Sequence, residues 1–346
     1  MSNKKVAIVG AGISSLSAAR QLLESGFNVT LFEKSRGVGG RCGTRRVTIG
    51  QDTLLFDHGA QYFTSSKPEF ETAVNHWVEN GVAKKWEGKV KALDFKTGEL
   101  TDKSEGPKRY VGIPGNSSIS KFQLKELEDK HKNRIQIHLN TLVTSLRRSN
   151  SKWVVVTGDQ DHASPFDAVI ITTPPEQALP LVKDHSLLLS QHLSRISMNP
   201  CWSLMLAFKE KIAPEKGDGI FINNNEVISW VARNSSKSDD QKYDCWMVHT
   251  NYDWTEKNLE RDPESVADDI LQHFSKVIGQ NLDPIHKQAH RWRYTAIKQS
   301  NVGLGEEYLF DDKSGLGIVG DYCSNSKVQG AFMSGHRCGE YLKSNL

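Results

Sequence analysis

The chain lacks the features that mark several whole classes of protein. It has five cysteines in 346 residues, Cys42, Cys201, Cys245, Cys323 and Cys338, an odd number at wide spacing. None forms a CxxC pair or a Cys/His cluster at zinc-ligand spacing. That argues against a disulfide framework and for a reducing, cytoplasmic setting. Apolar runs such as Ala168–Ile171 and Val154–Val156 fall far short of the about 20 residues of a membrane-spanning helix. Lysine plus arginine number 44 and aspartate plus glutamate 41, a net charge of +3 with no block of five like charges. Neither a nucleic-acid nor a membrane partner is read from that balance. No HExxH, Ser-His-Asp constellation, paired-carboxylate motif, metal site, internal repeat or low-complexity linker is legible. The oligomeric state is not legible either.

What remains is a chain long enough for about two domains, with 37% hydrophobic residues. After Met1–Lys5, the run Val6–Val9 is only four residues before Gly10 and Gly12 interrupt it. A secretory segment needs about 7–15 apolar residues, so this reads as the first buried strand. Gly10-Ala11-Gly12-Ile13-Ser14-Ser15 follows, then Leu16, Ala19, Leu22 and Leu23 on one helical face, with Gly26 as the stop. Asn28–Phe32 reads as the next strand, ending at Glu33. Gly10 permits the tight turn and Gly12 lets the backbone approach a pyrophosphate. The helix N-terminus around Ser14 offers free N–H groups. Ser15 stands where the third glycine of the fingerprint is expected and is small enough for close packing. Glu33 lies 21 residues after Gly12, where a carboxylate accepts ribose hydroxyls. A second glycine loop, Lys34 to Gly40, ends at Arg41, which can reach a pyrophosphate.

This second loop resembles that of glutathione-reductase-type FAD proteins in their amine-oxidase-like branch. Further segments resemble the renalase family, closest to its bacterial members. They are Asp57-His58-Gly59-Ala60-Gln61-Tyr62-Phe63-Thr64, Phe166–Pro174, Trp230–Lys237, Trp246–His249, Arg291–Tyr294, and the terminal Gly317–Cys323 with Val328–Ala331 and Ser334-Gly335. They occur in the expected order from about residue 5 to residue 342. Departures are Ser15, Cys42-Gly43 after Arg41, and Ser238-Asp239 after Lys237.

The resemblance implies an α/β fold. A discontinuous Rossmann-like FAD domain (1–64, 126–175, 291–346) would carry an inserted mixed α+β substrate domain (65–125, 176–290) built on an antiparallel sheet. Six of the eight tryptophans fall in the inserted stretches. The cofactor implied is FAD, bound non-covalently although Cys323 lies near it. Its expected contacts include Gly59, Ala60 and Gln61 at the ring edge and Val143 at the adenine. Thr173 ends a returning strand, and Gly320-Asp321 reaches the ribitol. The opening of the helix at Val328, Gln329, Gly330 and Ala331 would face the pyrimidine edge. The catalytic pocket is expected to use Tyr62, Arg233 for a phosphate or carboxamide, His249 and Trp292. From the residues alone His249 is more often a satisfied core histidine, and Trp292 equally core packing.

The activity implied is that of an FAD-dependent oxidase. It would oxidise 2- or 6-dihydro isomers of NAD(P) to NAD(P)+ by hydride transfer to flavin N5, with O2 reduced to H2O2. The competing expectations are a flavin amine oxidase or related desaturase on the same fold, and a non-catalytic FAD-binding protein.

Overall fold

Short β-branched runs bounded by glycine turns and amphipathic helices assemble into two main sheets, with three smaller ones, and the two main sheets meet at a deep cleft. The computed structural model describes residues 4–158, 160–161, 165–238, 242–298, 307–324 and 327–346. Met1–Asn3 and Asp239, both noted above, lie outside them. The first sheet has six strands in the order Ile135–His138, Asn28–Phe32, Lys5–Val9, Ala168–Ile171, Leu316–Val319 and Tyr308–Asp311. The first five run parallel and the last antiparallel. From Lys5–Val9 the chain continues to the neighbour on one side and returns much later to the neighbour on the other. This is the switch point beside which α/β sheets open a ligand crevice. Helices Ile13–Glu24 and Val328–Asn345 pack on this sheet, burying Leu16, Leu22, Leu23 and Leu342 with Ile8 and Val29.

The expected hairpin is present as Val143–Ser149 and Lys152–Thr157. Asn150 and Ser151 both have positive φ, 48° and 66°. This two-residue turn has the hand that matches strand twist.

The second sheet has seven strands in the order His286–Ile297, Met198–Phe208, Asp244–Thr250, Ile228–Arg233, Gly219–Asn223, Val90–Asp94 and Leu100–Asp102. It was expected to be antiparallel, and one junction is not: Gly219–Asn223 runs parallel to Val90–Asp94. The helix Pro263–Ile278, capped by Asp262 and closed by Gly279 in the left-handed region, covers one face, with its Ile270 and Phe274 in one core with Trp202 and Trp246. The ribbon Thr44–Ile49 and Asp52–Asp57 covers part of the other, with Leu54 and Phe56 against Met205 and Met247. Past that ribbon the face is open to the cleft.

Two expected domain boundaries fall inside elements. Residue 291 lies within His286–Ile297, which pairs with Met198–Phe208 along its length. Residue 126 lies within the helix Ser117–His131. Alternating burial along a strand does not reveal which sheet the strand joins. Among the described residues, no helix is long and apolar enough to cross a membrane.

Candidate active site

The cleft between the sheets encloses about 2080 Å³, well beyond the roughly 300–1,000 Å³ of a pocket for one small ligand. One wall is the turn after the first strand. Gly10 has φ +111°, and a Cβ there would lie 2.2 Å from Thr172 Oγ1. Gly12 follows on the cleft wall with open space where its side chain would be. Ser14 lines the cleft, but Ser15 does not. The Ser15 hydroxyl accepts from the Gly12 N–H at 3.2 Å and shares a 2.8 Å hydrogen bond with Thr172 Oγ1. It therefore fastens the turn to the neighbouring strand instead of touching a ligand.

Glu33 accepts from Ala11 N at 2.9 Å and from Ser35 N at 2.8 Å, which fixes its carboxylate at the cleft wall. Lys34 and Gly40 line the same wall, and Gly39 N donates to Ala11 O at 2.9 Å, so the two glycine loops stack.

Arg41 lines the cleft, yet its guanidinium is engaged. It donates to Asp321 at 2.8 and 2.5 Å and to Thr295 O at 2.8 Å. Arg41 and Asp321 were expected to meet a pyrophosphate and a ribitol separately; in the fold they hold each other. Gly59 packs so closely on this loop that a Cβ would sit 2.0 Å from Arg41 O, and Ala60 N donates to that same carbonyl at 2.9 Å.

Val143 and Thr173 also line the cleft, and Thr173 Oγ1 is buried without a partner. Of the C-terminal residues, Val328, Gln329 and Ala331 reach the cleft. Gly330 and Gly320 stand behind it, and Gly320 N donates to Ser334 Oγ at 2.9 Å. Among the described residues, no side-chain hydrogen bond from the N-cap Lys327 closes the N-terminus of the helix Val328–Asn345, whose first N–H groups have no partner within the helix. Cys323 is buried off the cleft wall.

The opposite wall is the open face of the seven-stranded sheet. His290, Ser203, His249 and Trp230 lie across four adjacent strands in direct register, so their side chains share one face. The same parity removes Arg233 from the site. Trp230 lines the cleft, Ala232 packs beside it with Trp86 and Val111, and Arg233 points to the helix-covered face. There Arg233 donates to Asp244 at 2.8 and 2.9 Å, lies 3.4 Å from Asp218 and stacks 4.7 Å over Trp246. The expected substrate arginine is a buried structural ion pair.

Gln61 also departs from expectation. It stands behind the cleft lining, accepts from the buried Lys237 ammonium at 3.3 Å, donates to the Asp57 and Gly59 carbonyls, and lies 3.5 Å from His249 Nε2. Lys237 is further held by Asp57 and Asn234, each at 3.2 Å. This cluster pins the turn that carries Gly59 and Ala60, and neither Lys237 nor Asn234 was singled out as a site residue.

His249 does line the cleft. Burial, and then the Lys237 charge, push its imidazole down to about 4, so it is neutral at pH 7. Trp292 donates to His58 O at 2.8 Å and packs on His58 and His290, whose imidazoles burial lowers to about 3 and about 4. Tyr62 lines the cleft with its ring 5.8 Å from both Trp86 and Trp230. Ser203 was not anticipated. Its signal is register: it is paired with both His249 and His290.

The charge lining the cleft is one-sided. Ten lining residues are Lys or Arg, and three are Asp or Glu. Glu33 is held by amides and Asp321 by Arg41, while Glu176 accepts from Met198 N at 2.8 Å through one oxygen and leaves its buried Oε2 without a partner.

Residues 110–342 match the family of flavin containing amine oxidoreductases, and residues 8–77 match the NAD(P)-binding Rossmann-like domain. A 69-residue stretch is 44% identical to protoporphyrinogen oxidase 2, chloroplastic/mitochondrial, of Arabidopsis thaliana, covering 20% of this chain and 13% of that protein. A 163-residue stretch is 28% identical to the L-amino-acid oxidase of Crotalus adamanteus, covering 44% of this chain and 28% of that protein. These matches span less than a third of either relative. The cyclohexylamine oxidase of Brevibacterium oxydans IH-35A superposes with a TM-score of 0.76 at 12% identity over 99% of both chains. At that identity the likeness bears on the fold.

Proposed function

Because the chain belongs to the flavin containing amine oxidoreductases and is accordingly an oxidoreductase, we propose that it is an FAD-dependent oxidase of the renalase type. Its substrates are 2- or 6-dihydro isomers of NAD(P), which it returns to NAD(P)+. The residues present fit a flavin dinucleotide. Glu33 is set to accept ribose hydroxyls, and the open Gly12 backbone and the Gly37–Gly40 loop suit the pyrophosphate. Thr173 Oγ1 is a buried hydroxyl in need of a partner, and the opening of the helix at Val328 offers N–H groups to an anionic ring edge. Cys323, buried off the cleft wall, supports a flavin bound without a covalent link to that thiol. When bound, the flavin supplies the redox chemistry: it takes two electrons from the substrate and passes them to O2, giving H2O2.

The observation that carries the substrate reading is the cleft's charge. Arg36, Arg45, Arg46 and Lys121 line it with no carboxylate partner among the described residues. A phosphorylated dinucleotide is attracted there, whereas an ammonium meets an excess of uncompensated positive charge. The neutral His249 and the aromatic Tyr62 and Trp230 suit a flat, uncharged ring. The sheet face and the Gly59–Ala60 turn would hold that ring in place and exclude water.

The test is aerobic turnover. Dihydro isomers of NAD and NADP should each yield the oxidised dinucleotide and H2O2 in equal amounts. Peroxide from organic amines alone would contradict the reading. A second reading, oxidation of a small amine, is favoured by the aromatic pair Tyr62 and Trp230 beside the cleft, and that same assay separates the two.

A further inference from the structure

Two polar side chains on the sheet wall of the cleft are buried without any hydrogen-bond partner, and they stand on either side of one histidine. Ser203 is fully buried and its Oγ has no partner. Trp230 is 8% exposed and its Nε1–H has none either. His249 pairs in register with Ser203 on one side and with Trp230 on the other. All three line the cleft. Neighbouring strands stand about 4.8 Å apart, so the three side chains form one continuous strip.

Buried donors are almost always satisfied in folded proteins. Other unpartnered buried groups lie off the cleft, as Ser17, Ser120 and His131 do, or elsewhere on its lining, as Thr173 Oγ1 and Glu176 Oε2 do. Ser203 and Trp230 are the pair that share one face with a pocket imidazole.

Resting on the dihydronicotinamide reading above, we propose that Ser203, His249 and Trp230 form the subsite that recognises the carboxamide of the substrate ring. A carboxamide presents a carbonyl oxygen that accepts and an NH2 group that donates. The Ser203 hydroxyl and the Trp230 indole N–H supply donors for the carbonyl. The Ser203 hydroxyl lone pairs can accept from the NH2, beside the His249 imidazole, whose Nε2 lies 3.5 Å from Gln61 Nε2. A primary ammonium has three N–H groups and no acceptor, so it leaves the indole N–H unsatisfied. The strip thereby distinguishes an amide-bearing ring from an amine by hydrogen-bond polarity, independently of the cationic residues elsewhere in the cleft.

The test uses the flavin-loaded enzyme and two flat, uncharged probes of similar size, nicotinamide and 3-methylpyridine, titrated against the visible spectrum of the bound flavin. Nicotinamide should bind the wild-type protein at least about tenfold more tightly, as expected for one or two buried hydrogen bonds. Ser203→Ala and Trp230→Phe remove a donor while keeping most of the volume. Each should bring the ratio of the two dissociation constants towards one, with flavin content unchanged. A wild-type ratio near one, or a ratio that neither variant alters, overturns the proposal. Anaerobic reduction by the dihydro isomers is read separately. If these isomers fail to reduce the flavin while Ser203→Ala still abolishes the preference for nicotinamide, the oxidase reading fails and the carboxamide subsite stands.

Discussion

The guanidinium of Arg41 and the carboxylate of Asp321, 280 residues apart in the chain, form a two-pronged ion pair at 2.8 and 2.5 Å across the cleft wall. It joins the second glycine loop to the turn after the last parallel strand, so both ends of the chain are needed to shape one wall. Asp321 is 5% exposed, and removing Arg41 leaves its charge nearly unpaired. Arg41→Ala is expected to destabilise the protein by about 3–5 kcal/mol and to lower flavin content sharply. Asp321→Asn, which keeps the shape and one acceptor, should be milder. Thermal melts and the flavin-to-protein absorbance ratio of the purified variants check both.

Arg233 shows how function and structure separate. Its partners are Asp244, Asp218 and the Trp246 ring, all away from the cleft. Arg233→Met should therefore lower the melting temperature strongly, by about 3–5 kcal/mol of stability for an orphaned buried carboxylate. In the fraction that folds, the dissociation constant for the dinucleotide substrate should be unchanged. A rise in that constant of tenfold or more at unchanged stability would restore Arg233 to the site.

This residue also marks the limit of what the chain makes legible. The glycine fingerprint and Glu33 can be read because turn, helix dipole and ribose carboxylate are local features within one strand–helix–strand unit. Arg233 and Gln61 could be placed near the site only by resemblance. Whether each faces the cleft is decided by strand parity and by a helix and a lysine far along the chain. Ser203 was missed for the same reason. It lies in a run of buried apolar residues, and only the pairing with His249 and His290 shows which face it takes.

A lysine buried at the base of the site is the next test. Lys237 meets Asp57, Gln61 and Asn234 at 3.2–3.3 Å. Lys237→Met leaves Asp57 buried without its counter-charge and should cost about 3–5 kcal/mol. The double variant Asp57→Asn/Lys237→Met should recover part of that loss, because the two residues act as a pair. Chemical denaturation of the three variants measures the coupling. Strictly additive losses would contradict it.

Acid should loosen the fold through its cleft histidines. Burial lowers His58 to about 3 and His249 and His290 to about 4, below the roughly 6.5 of an unfolded imidazole. Above about pH 6.5 both states are neutral, and stability is complete. As pH falls from there towards 4, the unfolded chain gains protons that the folded chain resists, so stability declines. The denaturation midpoint should therefore fall between pH 7 and pH 5, and the fall should shrink in His58→Asn. An equal fall in that variant would show that other groups control the acid response.

Gly59 fixes the turn beneath the proposed ring site. A methyl group there would meet Arg41 O at 2.0 Å, a clash with backbone that no rotamer relieves. Gly59→Ala should fold with less than about a tenth of the wild-type flavin content, because the two loops can no longer close on each other. A fully loaded Gly59→Ala protein would show that this contact does not shape the cofactor wall.

The central claim is that the cationic cleft serves a dihydronicotinamide dinucleotide. Anaerobic stopped-flow mixing tests it most directly, with flavin absorbance followed against 2- and 6-dihydro isomers of NAD(P), ordinary NADH, and a set of small amines. The account predicts fast bleaching by the 2- and 6-dihydro isomers, far slower reduction by ordinary NADH and none by the amines. Rapid bleaching by an amine, with the dihydro isomers inert, would contradict it.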